Sequence, residues 1–427
     1  MARPGGCYNI ADFERRARNR LPAPLYHYIA GGADDELTRT ANTRAFDRYE
    51  LVPDYLRDIR TIDMRRTVLG CDLGWPLILA PTGMTRLFHA AGEQGVAIEA
   101  ARSGAGYALS TMATASIEEI AKVSAGPKIF QLYLLNDEAL NFAVIDRCKA
   151  AGFDAICLTV DTIVAGNRER DLRTGLTIPP KLSLAGLMAF AMRPGWCFDY
   201  LRGAKFCLPN IGDGAGGDLS TLAAYFAARM ERNISWASVE RLAAYWGGPF
   251  AIKGLQSPSD ARLAASFGAS AVILSNHGGR QLDGVPPTID LVADMVDAVG
   301  DRIEVILDGG IRRGSHIVKA LAMGARACMT GRPYLYGLAA YGTPGVARVL
   351  ELLRGETERT LALLGCAGVD ELGRAHIRMA GEVPAFLKGE APVASKAPTL
   401  HVIPAKAGIP PVSSQEQTLE GPQPSLG

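Results

Sequence analysis

"EVILDGGIRRGSHIVKALAMGARACMTGRP", residues 304–333, contains one structural unit and the opening of the next. Residues 304–308 form a short apolar run of the kind that makes a buried strand, closed by Asp308, Gly309, Gly310 and Arg312. "RGSHIVKALAMGA" then places apolar residues at helical spacing and closes on glycine. A second run, "ACMT", ends in Gly331 and Arg332. Strand, loop, helix and parallel strand is the βαβ unit, in which a helix carries the chain back to the starting edge. Both times the glycines and arginines fall after the C-terminal end of the strand.

The same texture extends in both directions. From residue 75 onward the short apolar runs are "PLILAP", "YALST", "KIFQLYL", "AICLTVD", "FAIKGL", "AVILSN", "EVILDGG" and "ACMTGRP". Helical segments lie between them. "SIEEIAKV" carries a capping box, Ser116 with Glu119 three residues on, and "SPSDARLAASFGA" opens near Ser257 and stops at Gly268. Eight strand–helix units predict an α/β fold, a (β/α)8 TIM barrel. The alternative, a doubly wound sheet, more often has five or six strands. Residues 1–74 predict a helical segment completing the active site, with two amphipathic stretches separated by Pro and Gly. Residues 75–388 predict the barrel, closed by a long helical pair in "GTPGVARVLELLRGETERTLALLGC". An insertion of about 170–233 follows strand four, far longer than an ordinary βα loop. Residues 389–427, rich in Pro, Ser and Gly, predict a disordered tail.

Composition narrows the function. The 427 residues are 48% hydrophobic and 21% charged, with a formal net charge of +1. No Lys/Arg block forms a nucleic-acid arm. Eight cysteines without a Cys-x-x-Cys pair argue against zinc and against a disulfide framework. The N-terminus has no apolar signal core and no stretch has transmembrane length, so a cytoplasmic protein is expected.

In such a barrel the functional groups stand at the C-terminal strand ends. Those ends supply Thr82 and Gly83; Ser110 and Met112; Gln131 and Tyr133; Thr159 and Asp161; Lys253; Ser275, His277 and Arg280; Asp308, Gly309, Gly310 and Arg312; Gly331 and Arg332. Charges gathered at one mouth must be paired or used. "DGGIRRG" and "TGRP" combine close-approaching glycine amides with arginine forks, a phosphate site. Lys253 needs a negative partner, and it serves either as a Schiff-base lysine or as a cation beside an electron-accepting ring. His277 is a general base, Asp161 its partner, and Arg280 a carboxylate fork.

"SNHGGRQLDG", 275–284, is similar to the signature of the FMN-dependent L-2-hydroxy acid oxidases and dehydrogenases. "LPAPLYHYIAGGADDELT", "APTGM", "LST", "FQLY", "LTVDT", "IKG", "LDGGIRRG" and "GRP" also match in order, to about residue 388. The resemblance implies FMN as cofactor and oxidation of a 2-hydroxy acid to the 2-keto acid. It implies His277 as base with Asp161, and Arg280, Arg168 and Tyr28 on the substrate carboxylate. Tyr133 would meet the substrate hydroxyl, and Lys253 the N1/O2 edge of the flavin. Thr82, Gly83, Ser110, Gln131, Thr159 and Ser275 would contact isoalloxazine or ribityl. Asp308 would hold the ribityl, with Gly309 beside it. Gly310, Arg312, Gly331 and Arg332 would hold the phosphate. It further implies a homo-oligomer, often a tetramer.

Departures from the family pattern refine the expectation. Met112 stands where glycolate oxidases carry Trp, which favours L-lactate or a larger acid. Gly83 stands where oxidases usually carry Ala, which favours a dehydrogenase passing electrons to a quinone or another external acceptor over an O2-using oxidase. "LAGLMAFAMRPGWCF", flanked by Lys181 and Arg193, reads as a segment that rests on the inner face of the cell membrane or as a lid. IMP dehydrogenases and flavin-dependent isopentenyl-diphosphate isomerases share the scaffold but lack the His–Arg signature. A non-catalytic phosphate-ligand barrel would have no use for a poised base.

Overall fold

A computed structural model of the chain describes residues 4–176, 184–204, 206–211 and 228–381. The expected tail, Lys181 and most of "NIGDGAGGDLS" lie outside the described residues.

Eight parallel strands close into a barrel in sequence order. They are β1 Leu77–Leu79, β2 Gly106–Ser110, β3 Lys128–Leu132, β4 Ala155–Thr159, β5 Phe250–Leu255, β6 Ala271–Leu274, β7 Glu304–Asp308 and β8 Ala327–Thr330. All eight coincide with the expected runs. Nearly every strand residue is buried, because helices cover the outside while side chains fill the inside.

The inside is narrow and made largely of small residues: Ala80, Ala108, Ala155, Cys157, Ala251, Ala271, Ala327, with Ile78, Ile129, Ile273, Ile306 and Met329. Strand side chains alternate with period two, so each inward row can be continued by two. Ala80 leads to Thr82, Ala108 to Ser110, Ile129 to Gln131, Cys157 to Thr159, Ala251 to Lys253, Ile273 to Ser275, Ile306 to Asp308 and Met329 to Gly331. The same row that packs the core turns polar at its C-terminal end, and that step builds the site. A ribbon of Arg66–Val68 paired with Cys71–Leu73 adds Val68, Leu69 and Leu73 to this interior cluster. It plugs the N-terminal end, where Leu69 N donates to Glu304 at the start of β7.

Before the barrel come three helices, α1 Ile10–Arg20, α2 Ala23–Ala30 and α3 Leu37–Arg44, where two amphipathic stretches were expected. Pro22 and Gly31–Gly32 each break the chain, so the stretch divides into more pieces. The expected closing pair is also revised. Thr343–Leu364 is one unbroken helix of 22 residues. Gly355 inside it lowers helix propensity but does not end the helix, and a Cβ there would meet open space. The capping box at Ser116 and the Ser257 cap are present. In the insertion the described helices are Glu169–Thr174, Leu184–Ala191 and Pro194–Arg202. Among the described residues no helix is long and apolar enough to cross a membrane.

Candidate active site

A cavity of about 430 Å³ opens at the C-terminal end of the barrel, a volume within the usual range for ligand sites of ~300–1,000 Å³. Its wall includes Tyr28, Thr82, Gly83, Ser110, Met112, Gln131, Tyr133, Thr159, Arg168, Lys253, His277, Arg280, Asp308, Gly309, Gly310, Arg312, Gly331 and Arg332. Two of the expected residues stand behind the wall. Asp161 backs His277, and the fully buried Ser275 backs Lys253.

His277 follows β6 in a left-handed backbone conformation, φ 55°, uncommon for a residue with a side chain. Its backbone N donates to Ser275 Oγ at 3.1 Å, and Asn276 beside it pairs both ways with Asn42 of α3 at 2.7 and 2.8 Å. Gly278 and Gly279 are left-handed too. A Cβ on Gly279 would stand 2.4 Å from Arg39 N, so only glycine lets α3 lie against this loop. His277 Nδ1 lies 2.9 Å from Asp161 Oδ1. A carboxylate accepts only, so Nδ1 carries the proton and Nε2 is left as the basic nitrogen. Burial lowers the His277 pKa below its ordinary value, although Asp161 opposes this, so the imidazole is neutral at neutral pH. Burial works to raise the Asp161 pKa, but its interaction and hydrogen bond with His277, together with the Lys253 cation, hold it below the usual carboxylate range.

Lys253 finds its negative partner in Asp308, at 2.9 Å. Its Nζ also donates to Ser275 Oγ at 2.9 Å, and that hydroxyl donates to Asp308 at 2.7 Å. Burial works to lower the Lys253 pKa, but Asp308 and Asp161 outweigh it and raise it. It therefore stays a cation, not a free amine ready for a Schiff base.

The arginines crowd together. Arg280 stacks 4.8 Å over the Tyr28 ring and donates to the Tyr28 and Gly31 carbonyls. Burial, with Arg168 beside it, pulls its pKa down to about 10. Arg332 is pulled down to about 9 by burial, with Arg280 and Arg312 adding to it. Buried cations that destabilise one another mark a cavity shaped for anions. Arg332 has a second task. Its Nε and both Nη donate to the carbonyls of Ile29, Gly278 and Gly31. Its guanidinium thus clamps the N-terminal segment to the signature loop. Those bonds use three of its five N–H groups, which leaves one on each Nη for a phosphate, together with its backbone N–H at the start of the helix Arg332–Tyr341, beside Gly309, Gly310 and Arg312.

FMN can be tested against this wall. Gln131 Nε2, Thr159 Oγ1 and Thr330 Oγ1 are buried and lack a hydrogen-bond partner among the described residues, yet all three residues line the cavity. Orphaned donors and acceptors at the barrel end suit the polar edge of a flavin ring, and the glycine amides and Arg312 suit its phosphate. These residues fit FMN.

The model of the family described as FMN-dependent dehydrogenase matches residues 17–379. The chain belongs to that family. It is similar to glycolate oxidase 3 of Arabidopsis thaliana, 38% identical over 382 residues, 90% of this chain and 99% of the relative. L-lactate oxidase of a Nostoc species is 39% identical, covering 87% of this chain and 98% of the relative. Among solved structures, the monotopic membrane protein (S)-mandelate dehydrogenase superposes with a TM-score of 0.84 at 34% identity, over 88% of this chain and all of that one. As an FMN-dependent dehydrogenase family member the chain is an FMN-dependent 2-hydroxy acid oxidoreductase.

Sequence reasoning missed several residues of this family site. Gln281 joins Arg168 to the signature loop, Asn42 staples α3 to Asn276, and the buried Glu93 ties the loops after β1 and β2 together. Phe88, Ile163, Val164 and Met230 add apolar side chains to the cavity lining. Gln281 stood in the quoted signature, but its partners lie more than a hundred residues away.

Proposed function

We propose that the chain oxidises an L-2-hydroxy acid larger than glycolate, L-lactate or one with a bulkier side chain, and passes the electrons to a quinone or another external acceptor. The observation that carries this is the pairing of a neutral, Asp161-backed His277 with the Arg280 and Arg168 cations on one cavity whose lining also includes Phe88, Ile163, Val164 and Met230. FMN, when bound, supplies the acceptor for the two electrons of the reaction. Arg280 and Arg168 grip the carboxylate, helped by Tyr28. Tyr133, whose phenol burial keeps protonated, bonds the substrate hydroxyl. His277 Nε2 takes a proton, and Asp161 stabilises the imidazolium that results. Lys253 sets its charge against the flavin. Residues 4–48 complete the site through Tyr28 and the carbonyls that Arg332 and Arg280 hold.

Met112 supports a substrate beyond glycolate, since it leaves the space a Trp would take. Gly83 supports an acceptor other than O2. A Cβ there would lie 2.8 Å from Met112 Cβ, so this loop is built for glycine. The names of the glycolate and lactate oxidases favour a second reading, reduction of O2 to hydrogen peroxide. Anaerobic addition of L-lactate or L-mandelate should bleach the yellow protein, and a quinone analogue should restore the colour faster than air does. Faster recovery in air selects the oxidase, and no bleaching by any L-2-hydroxy acid rejects both.

We also propose attachment to a membrane surface through Leu184–Ala191 and Pro194–Arg202. Leu184, Leu187, Met188, Phe198 and Leu201 are exposed on them, and Met192 is exposed between them. The Trp196–Leu87 hydrogen bond and the Arg20–Asp199 ion pair hold this apolar face to the body. Full recovery of the protein in the low-salt, detergent-free soluble fraction would reject it.

A further inference from the structure

The open side of the cavity is walled by the loop between β4 and Glu169–Thr174. Ile163 and Val164 at its tip are 47% and 63% exposed, and both line the cavity. The hydrogen bonds of Asp161–Arg168 run mostly outward, and one side chain collects four of them. Gln281 Nε2 donates to the carbonyls of Asp161 at 3.0 Å and Val164 at 2.8 Å. Its Oε1 accepts from Gly166 N at 3.3 Å and from Arg168 Nη2 at 3.2 Å.

An amide side chain offers two donors and a two-lone-pair acceptor, so this one is fully used, and its orientation is fixed by what surrounds it. A flipped amide would set its NH2 against two N–H donors. The loop also lies directly on the Gln281 backbone. A Cβ on Gly166 would stand 2.3 Å from Arg280 O and 2.8 Å from Gln281 Cα. Arg168 Nε adds a bond to Arg280 O at 3.3 Å. The loop starts at Asp161, which His277 itself holds, and ends at Arg168, one of the two carboxylate-binding arginines, so whatever fixes the loop fixes the reach of Arg168.

We propose that Gln281 is the positioning residue that latches the Asp161–Arg168 loop over the cavity and sets the reach of Arg168 toward the substrate carboxylate. The inference rests on the 2-hydroxy acid reading of the site. Gln281 touches neither base nitrogen, and its bonds are part-exposed. The latch can therefore open for substrate entry while Ser275 and Asp161 Oδ1 keep His277 in place. Arg168 Nη2 carries two hydrogens, so one stays on Gln281 Oε1 while the other is free to meet a substrate carboxylate.

Gln281→Glu keeps shape and both acceptors but cannot donate to the Asp161 and Val164 carbonyls. Its charge also pairs with Arg168 and draws it from the substrate. Gln281→Met keeps volume without polar atoms. In the FMN-loaded enzyme, both variants are expected to raise KM for L-lactate or L-mandelate about tenfold or more while kcat stays within about threefold. Trypsin should cut the substrate-free holoenzyme after Arg168 or Arg170 about tenfold faster than wild type, since cleavage follows the open population. Flavin content at the wild-type level in either variant shows that the fold survives. An unchanged KM, a loss confined to kcat, or unchanged cleavage overturns the proposal. If wild type is reduced by no 2-hydroxy acid, the functional reading fails, and the cleavage comparison decides the latch by itself.

Discussion

In the proposed reaction His277 is the base, and its surroundings set a sign. Burial lowers its pKa and Asp161 raises it, with burial the larger. The neutral imidazole is the working form, so kcat/KM should hold steady through neutral pH and fall only as pH drops through a value below the ordinary 6.5. Asp161→Asn removes the opposing cause, which moves that acid limb to still lower pH and slows flavin reduction because the imidazolium loses its counter-charge. An acid limb that moves upward in this variant contradicts the assignment. His277→Gln should keep its flavin, because Gly309, Gly310 and Arg312 are untouched, yet lose about 10²–10⁴ in the rate of flavin reduction. Rapid-mixing absorbance reads both quantities in one experiment. Arg280→Lys turns a stacked fork into a point charge, so it should raise KM by about tenfold or more with a smaller change in kcat. An unchanged KM would count against its role.

At the scale of elements, the barrel was legible because strand periodicity is local. Each inward row is visible as an apolar run with a polar residue two places beyond, and Lys253, Ser275 and Asp308 follow from that rule alone. The helix across Gly355 was misjudged because a single glycine costs a helix only about 1 kcal/mol, which packing along Thr343–Leu364 exceeds. Glu93 was invisible for the opposite reason. In sequence it is one more acid at the start of a helix, and its meaning lies in distant partners. Fully buried, it accepts from Thr85 N at 3.0 Å, Thr114 N at 2.8 Å and Thr114 Oγ1 at 2.5 Å. It thereby fastens the loop bearing Thr82 and Gly83 to the loop bearing Met112. Glu93→Gln keeps an oxygen for the two backbone N–H groups but removes the charge and sets an NH2 where the carboxylate accepts from the Thr114 hydroxyl, so that bond must reverse. The substitution should cost about 1–3 kcal/mol of stability and weaken flavin binding. Urea unfolding with FMN titration checks this, and wild-type values for both would remove Glu93 from the site's support.

Across the whole molecule, the flavin site lies where segments far apart in the chain meet. Arg332 after β8 holds the carbonyls of Ile29 and Gly31, Asn42 pairs with Asn276 after β6, and Ala33 N donates to Gly279 O at 2.8 Å. The barrel mouth and residues 4–48 are therefore one cooperative structure, and a ligand in the cavity stabilises their junction. Gln131 Nε2 and Thr159 Oγ1 are buried without a partner among the described residues, and FMN bound as proposed would satisfy them. By linkage, free FMN at a hundred times its Kd should add about 2.7 kcal/mol of stability, and Tm should climb with the logarithm of FMN concentration. Asn42→Ala leaves the Asn276 amide without its buried partner, so the stripped variant should melt below stripped wild type and bind FMN more weakly. Thermal melts of stripped and reloaded protein decide the matter. If wild type melts at the same temperature with and without FMN, the orphaned atoms are not its ligands. If Asn42→Ala binds FMN as tightly as wild type, the N-terminal helices are a cover on the barrel and not part of its site.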